Sequence, residues 1–135
     1  MISTKGRYAI RFMIDLAEQS TATPVPLDET AARQDISKKY LEIIVKILVK
    51  GKLVKGTSGK GGGYLLMRRP EEYTIGEILE LTEGTLATVA CLNADAEQCP
   101  RESSCKTLPM WKKFDNIVHD YFFNITIADL VNGTF

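Results

Sequence analysis

Residues 36–51 read Ile-Ser-Lys-Lys-Tyr-Leu-Glu-Ile-Ile-Val-Lys-Ile-Leu-Val-Lys-Gly, and residues 52–67 continue as Lys-Leu-Val-Lys-Gly-Thr-Ser-Gly-Lys-Gly-Gly-Gly-Tyr-Leu-Leu-Met. In the first stretch Leu41, Ile44, Val45 and Leu48 recur at helical spacing, Ser37 stands where an N-cap belongs, and Gly51 closes the run. In the second, two short strand-like runs, 52–56 and 64–67, flank a glycine-rich tip, which is the pattern of a hairpin. Just upstream, residues 27–34 read as a short helix with Asp28 and Glu29 favourably placed in its first turn. Residues 34–37 form a tight turn there, because Asp35 tolerates the left-handed conformation better than most residues. Two short helices, a tight turn and a hairpin are the parts of a winged helix-turn-helix, so the expected fold is mainly α with a small β-hairpin wing.

Working outward, residues 4–19 predict an amphipathic helix. Tyr8, Ala9, Phe12, Met13, Ile14, Leu16 and Ala17 form its apolar stripe, and Arg7, Arg11, Asp15 and Glu18 lie outside it. Pro24 and Pro26 end that pattern. Downstream, residues 74–83 predict a helix opened by the capping-box pair Thr74 and Glu77 and ended by Gly84. Residues 88–106 read as a loop, and residues 108–124 as a long closing helix. Along that helix Trp111, Phe114, Val118, Tyr121, Phe122 and Ile125 recur at helical spacing. A stripe of this width packs either within the chain or against a second copy, and on a terminal helix it favours a homodimer seam. The expected division is a DNA-binding winged helix over 1–69 and a cysteine-loop sensor and dimerisation region over 70–135.

The net charge of +0 conceals an asymmetry: residues 1–69 hold 13 Lys/Arg and 6 Asp/Glu, whereas residues 70–135 hold 4 and 11. A basic first half suggests contact with a polyanion, although a solvated basic face would give the same balance. No apolar run approaches the ~20 residues of a membrane helix, and no signal-peptide pattern opens the chain, so the expected compartment is the cytoplasm and no membrane partner is expected. One His, no base–nucleophile pair and no phosphate loop leave little for an enzyme to use.

Lys38 and Lys39 occupy the first turn of the third helix, where the helix dipole disfavours cations but an arriving phosphate gains from both the lysines and the free N–H groups. Tyr40 and Glu42 lie next along, in reach of base edges; Tyr40 fits a core-edge position equally well. Glu42 is repelled by phosphate and serves only by accepting from a cytosine amino group or by excluding wrong sequences. The segment 59–63 lacks the Gly-x4-Gly-Lys-[Ser/Thr] spacing of a nucleotide loop, because Gly61 follows Lys60. It reads instead as a wing tip that carries Ser58, Gly59 and Lys60 towards a groove.

Cys91, Cys99 and Cys105 are the only cysteines, spaced Cys-x7-Cys-x5-Cys. An odd, clustered set is a poor disulfide framework and points to metal ligation, an iron–sulfur cluster or thiol redox chemistry, with three unrelated loop thiols as the bland alternative. His119 stands fourteen residues beyond Cys105, roughly 21 Å along a helix axis, and is not expected to join them.

Four segments together resemble a known family: Ser-Thr-Lys-Gly-Arg-Tyr-Ala at 3–9, Ile-Ser-x-x-Tyr-Leu-Glu at 36–42, Gly-Gly-Gly-Tyr-Leu-Leu at 61–66 and the cysteine motif at 91–105. Residues 124–130 add a similar closing segment. The chain is similar to the Rrf family of bacterial winged-helix transcription regulators, with its IscR-like, NsrR-like and CymR-like members. The resemblance implies a homodimer that binds a pseudo-palindromic duplex through Lys5, Arg7, Ser37, Lys38, Lys39, Tyr40, Glu42, Ser58, Gly59 and Lys60. It also implies an iron–sulfur cluster (2Fe-2S or 4Fe-4S) on Cys91, Cys99 and Cys105, reporting iron–sulfur, redox or nitric oxide status. The chain departs from the family in three places. Its first cysteine spacing is longer than in cluster-binding relatives. Leu108 stands where IscR-like members carry a histidine ligand, and Tyr8 where NsrR-like members carry an acidic one. The fourth ligand is therefore unassigned among Asp95, Glu97, Glu102, a partner-chain group and a small molecule. A thiol switch, or a regulator answering to a partner protein, is the alternative within the same family.

Overall fold

Ala9, Phe12, Met13 and Leu16 lie along one buried face of helix α1 (Thr4–Glu18), and the rest of the chain is assembled against that face. The structure, a computed structural model, describes residues 2–19 and 22–135. Helices α2 (Leu27–Gln34) and α3 (Lys38–Lys50) follow, then strands β1 (Val54–Thr57) and β2 (Gly63–Leu66), and helices α4 (Ile75–Glu83), α5 (Leu108–Phe123) and α6 (Ile127–Asn132). Short 3-10 turns lie at Pro70–Glu72, Ala90–Leu92 and Glu102–Ser104. The winged helix-turn-helix expected from the sequence is present, with the anticipated caps. Ser37 Oγ accepts from Tyr40 N at 3.1 Å, and Asp35 takes the left-handed conformation at φ 53. The Thr74–Glu77 capping box is formed at α4, and Gly84 ends that helix in the left-handed region.

Four features depart from expectation or go beyond it. Asp15, placed outside the apolar stripe by its charge, is buried at 1% exposure. It accepts from Thr30 Oγ1 (2.7 Å), Arg33 Nε and Nη2 (2.9 and 2.8 Å) and Gln34 Nε2 (3.3 Å). Burial pushes its carboxyl up, but the hydrogen bonds from Arg33, Thr30 and Gln34 and the charge of Arg33 outweigh that and hold it below the usual range. The buried charge is thus the clasp between α1 and α2. Lys52 is not in strand conformation but turns the chain at φ 60, so β1 begins only at Val54. Ile125 lies past the end of α5 and belongs to the core, at 9% exposure. Finally, Ile127–Asn132 form a helix of their own, opened by a capping box between Thr126 and Asp129.

A two-stranded hairpin is marginal alone and needs anchoring. Val25 supplies one anchor, donating to Tyr64 O and accepting from Tyr64 N, both at 2.9 Å. Pro24 and Pro26 flank it, and Pro26 has no N–H with which to continue a ladder. Gly63 is required at this crossing: its φ is +153, and a Cβ there would collide with the Val25 carbonyl.

Tyr73 supplies the other anchor from beyond the hairpin's open end. Its hydroxyl donates to Leu53 O at 2.6 Å and accepts from Met67 N at 2.8 Å and Arg68 N at 3.0 Å. Its backbone carbonyl accepts from Ile127 N at 3.0 Å, so one residue joins the wing to α6. Tyr73, Ile75, Ile78, Leu79, Ile125 and Ile127 share one core with Phe12, Leu41 and Leu48, so the core runs without a break across residue 69. Tyr73→Phe leaves the buried Leu53 carbonyl and the partly buried Met67 and Arg68 N–H groups without their partner and is expected to cost about 2 kcal/mol. Urea unfolding of the two proteins checks this; a loss under about 0.5 kcal/mol would show that the hydroxyl is dispensable.

Candidate nucleic-acid interface and cysteine cavity

The outer surface of α3 is set by what its inner surface buries. Leu41, Ile44, Val45 and Leu48 face the core, which leaves Lys38, Lys39, Glu42, Ile43, Lys46 and Lys50 exposed. Of the residues expected to meet DNA, Lys38, Lys39 and Glu42 stand free on this face, and Ser37 is engaged in capping it. Tyr40 is half-buried, its ring edge-on to Tyr8 at 5.7 Å between centroids, and it packs against the core. The core-edge reading of Tyr40 therefore describes its geometry. Ser58, Gly59 and Lys60 form the exposed wing tip, where Gly59 and Gly61 both take positive φ and Gly62 N donates to Gly59 O at 3.0 Å. On α1, Lys5 is half-buried, and Arg7 is exposed with its guanidinium on Thr4 Oγ1 at 3.2 Å. Lys46 and Lys50 share this exposed face, and their spacing from Lys39, outside the Leu41–Leu48 stripe, is the signal in the sequence that places them there.

The three cysteines come from separate parts of the 88–106 segment. Cys91 sits in the first of its 3-10 turns, Cys99 opens a turn closed by Glu102 N on its carbonyl, and Cys105 lies just after the second 3-10 turn. All are free thiols, and all line one cavity of about 250 Å³ together with Glu97, Glu102, Leu108 and Lys112. Asp95 is not on its wall, and His119 is far from it in the chain, stacked on Phe123 at 4.3 Å. Among the described residues no three His, Cys, Asp or Glu side chains converge on a single ion. Cys105 Sγ lies 3.4 Å from Thr107 Oγ1, and hydrogen bonds from that hydroxyl and from the backbone at Thr107 and Leu108 hold its thiol below the usual range.

The segment is tied to α5 at its start: Thr88 donates its N–H (2.8 Å) and its hydroxyl (3.0 Å) to Asp115 Oδ1. Helix α5 itself buries no residue. Met110, Phe114, Ile117 and Tyr121 form an exposed apolar stripe on it, 47–59% exposed. Of the stripe expected from the sequence, Phe114 and Tyr121 are exposed, whereas Trp111, Val118 and Phe122 are half-buried. Phe114, Val118 and Phe122 line a cleft of about 460 Å³ against Ile2, Leu86 and Ala87.

Comparison with known proteins gives a consistent result. The family described as Rrf2, iron-dependent transcriptional regulator, matches residues 2–133. The transcriptional regulator IscR of Pectobacterium atrosepticum is 35% identical over 132 residues, covering 98% of this chain and 79% of its own. Among solved structures, CymR, the global cysteine regulator of B. subtilis, is 33% identical with a TM-score of 0.80, covering 100% of this chain and 98% of its own. IscR of T. potens is 31% identical with a TM-score of 0.76, covering 100% and 88%. Among the described residues no helix is long and apolar enough to cross a membrane. Asp115→Ala, which removes the acceptor for both Thr88 groups, is expected to speed proteolytic cleavage within 88–106 severalfold while the global unfolding midpoint stays nearly fixed. Unchanged cleavage would show that the Thr88–Asp115 contact does not hold the segment.

Proposed function

Because the chain belongs to the Rrf2 family of transcriptional regulators, we propose that it is a dimeric regulator whose Cys91, Cys99 and Cys105 hold an iron–sulfur cluster and whose α3 and wing read a pseudo-palindromic duplex. Residues 1–69 are the DNA-reading part, residues 70–135 the sensing and dimerising part, and the compartment is the cytoplasm. The observation that carries the sensing half is that all three cysteines line one cavity. The donor set fits the group: thiolates are the ligands iron–sulfur clusters take, and a cluster several atoms wide does not need its ligands to converge on one ion. When bound, it supplies an oxidation- and nitric-oxide-sensitive centre. Of the acidic residues near the cysteines, Glu97 and Glu102 stand on the wall and supply candidate oxygen donors, and Lys112 offsets thiolate charge.

The chain's own residues do the rest. Lys38 and Lys39 take phosphates at the α3 N-terminus, where the free N–H groups add to their charge. Glu42 discriminates between bases, and Ser58 and Lys60 follow the backbone from the wing. The unpartnered stripe Met110, Phe114, Ile117 and Tyr121 supports a homodimer across α5, a surface that otherwise stays in water.

A cluster-free thiol regulator is the second reading. It is favoured by the three free thiols on one cavity and by the lowered Cys105 thiol. The discriminating experiment is the absorption spectrum of protein purified without oxygen, or reconstituted with iron and sulfide. Visible bands that vanish in Cys91→Ala, Cys99→Ala or Cys105→Ala are expected; a colourless protein in every preparation would leave the thiol reading. On the DNA side, Lys38→Ala and Lys39→Ala are each expected to weaken binding across sequences and to flatten the salt dependence by about one phosphate contact. Unchanged slopes in both variants would remove the α3 N-terminus from the interface.

A further inference from the structure

Ile43 is 51% exposed at the centre of α3, on the side away from Leu41, Ile44, Val45 and Leu48. Single exposed apolar residues are ordinary, but the surroundings of this one are not. Lys39 and Lys46 lie one turn before and after it, and Lys50 two turns after, so Ile43 stands inside a cationic stripe. Among the described residues none of these lysines is in an ion pair, and Glu42 beside them is unpaired as well. The stripe therefore presents net positive charge with an apolar, β-branched side chain in its middle. A second copy of the same surface would be repelled by it, and a polyanion would be drawn to it. Isoleucine has no donor or acceptor and makes no hydrogen bond to a base edge. The C5-methyl of thymine is the apolar group that the major groove presents.

We propose that Ile43 is a specificity-determining residue that packs on the 5-methyl group of a thymine in each half-site. The assignment rests on the DNA-reading role given to α3 and deepens it. The lysines on either side supply sequence-independent attraction, and Ile43 converts a single methyl group into preference for thymine over cytosine at one position.

The test uses the full-length protein and a duplex selected by it from a randomised pool. Each dT in that duplex is replaced in turn by dU, which deletes the methyl group and leaves the hydrogen-bonding edge unchanged, and binding is followed by fluorescence anisotropy at fixed salt. One dT per half-site is expected to lose about fourfold in affinity on replacement, the amount that burial of one methyl group supports. Ile43→Ala, at an exposed helical site where the fold is insensitive, is expected to bind the parent duplex about fourfold more weakly per half-site and to ignore that replacement. Wild-type binding that is indifferent to every dU would overturn the assignment, as would an unchanged dU profile in Ile43→Ala. Failure to select any duplex, with no salt-dependent binding to DNA at all, would overturn the DNA reading itself, a result distinct from either.

Discussion

The Tyr73 hydroxyl is the contact on which the arrangement of this molecule depends. It is wholly buried, and its hydrogen bonds reach the chain just before β1 and just after β2. The open end of the hairpin is thereby closed by a residue that belongs to neither strand. The Arg68 guanidinium lies over the same ring, 4.3 Å from its centroid, and continues to Glu77 at 2.6 Å, which brings the first turn of α4 into the joint. A phenol can do this because its ring pays the desolvation of its own hydroxyl through apolar burial, while the oxygen both donates and accepts. The position of the wing relative to α3 thus follows from a side chain outside the helix-turn-helix.

From that joint a continuous series of contacts runs to the cysteine cavity. Ile75 N donates to Ile125 O at 2.8 Å, and Phe123 lies so close over Gly76 that a Cβ at that position would enter its ring. Helix α5 connects Phe123 to Asp115, and Asp115 holds Thr88 at the entry to the 88–106 segment. Along this route α5 is the element with the least burial, and an element poorly held by its own chain responds most readily to a partner or to a change at one end. The contacts establish adjacency; we propose that cluster occupancy at one end shifts α5 and so re-aims α3 and the wing at the other.

What the sequence discloses follows from the range of the interactions involved. The caps at Ser37 and Thr74, the left-handed Asp35 and the hydrophobic spacing of α3 are decided within a turn or two of chain, and all are present as read. Asp15 misleads because its charge is satisfied by Thr30 and Arg33, which no periodicity within α1 reveals. Val25 is read as part of a break because its strand partner is Tyr64, far along the chain. Helix α6 is too short to show periodicity, although the pairing of Thr126 with Asp129 carries the same capping signal that identifies α4. The cysteine spacing brings out the right residues, but their convergence on one cavity depends on two 3-10 turns that the loop composition does not announce.

The central claim is that the state of Cys91, Cys99 and Cys105 sets the affinity of α3 and the wing for DNA. The most direct measurement is the affinity of one selected duplex for the iron–sulfur-reconstituted protein and for the same protein after its iron is removed by a chelator, at the same salt and without oxygen. The account predicts affinities that differ by about tenfold or more, a coupling of about 1.4 kcal/mol or above, with Cys99→Ala giving the iron-free value under both treatments. Superimposable binding curves for the loaded and iron-free protein would contradict it.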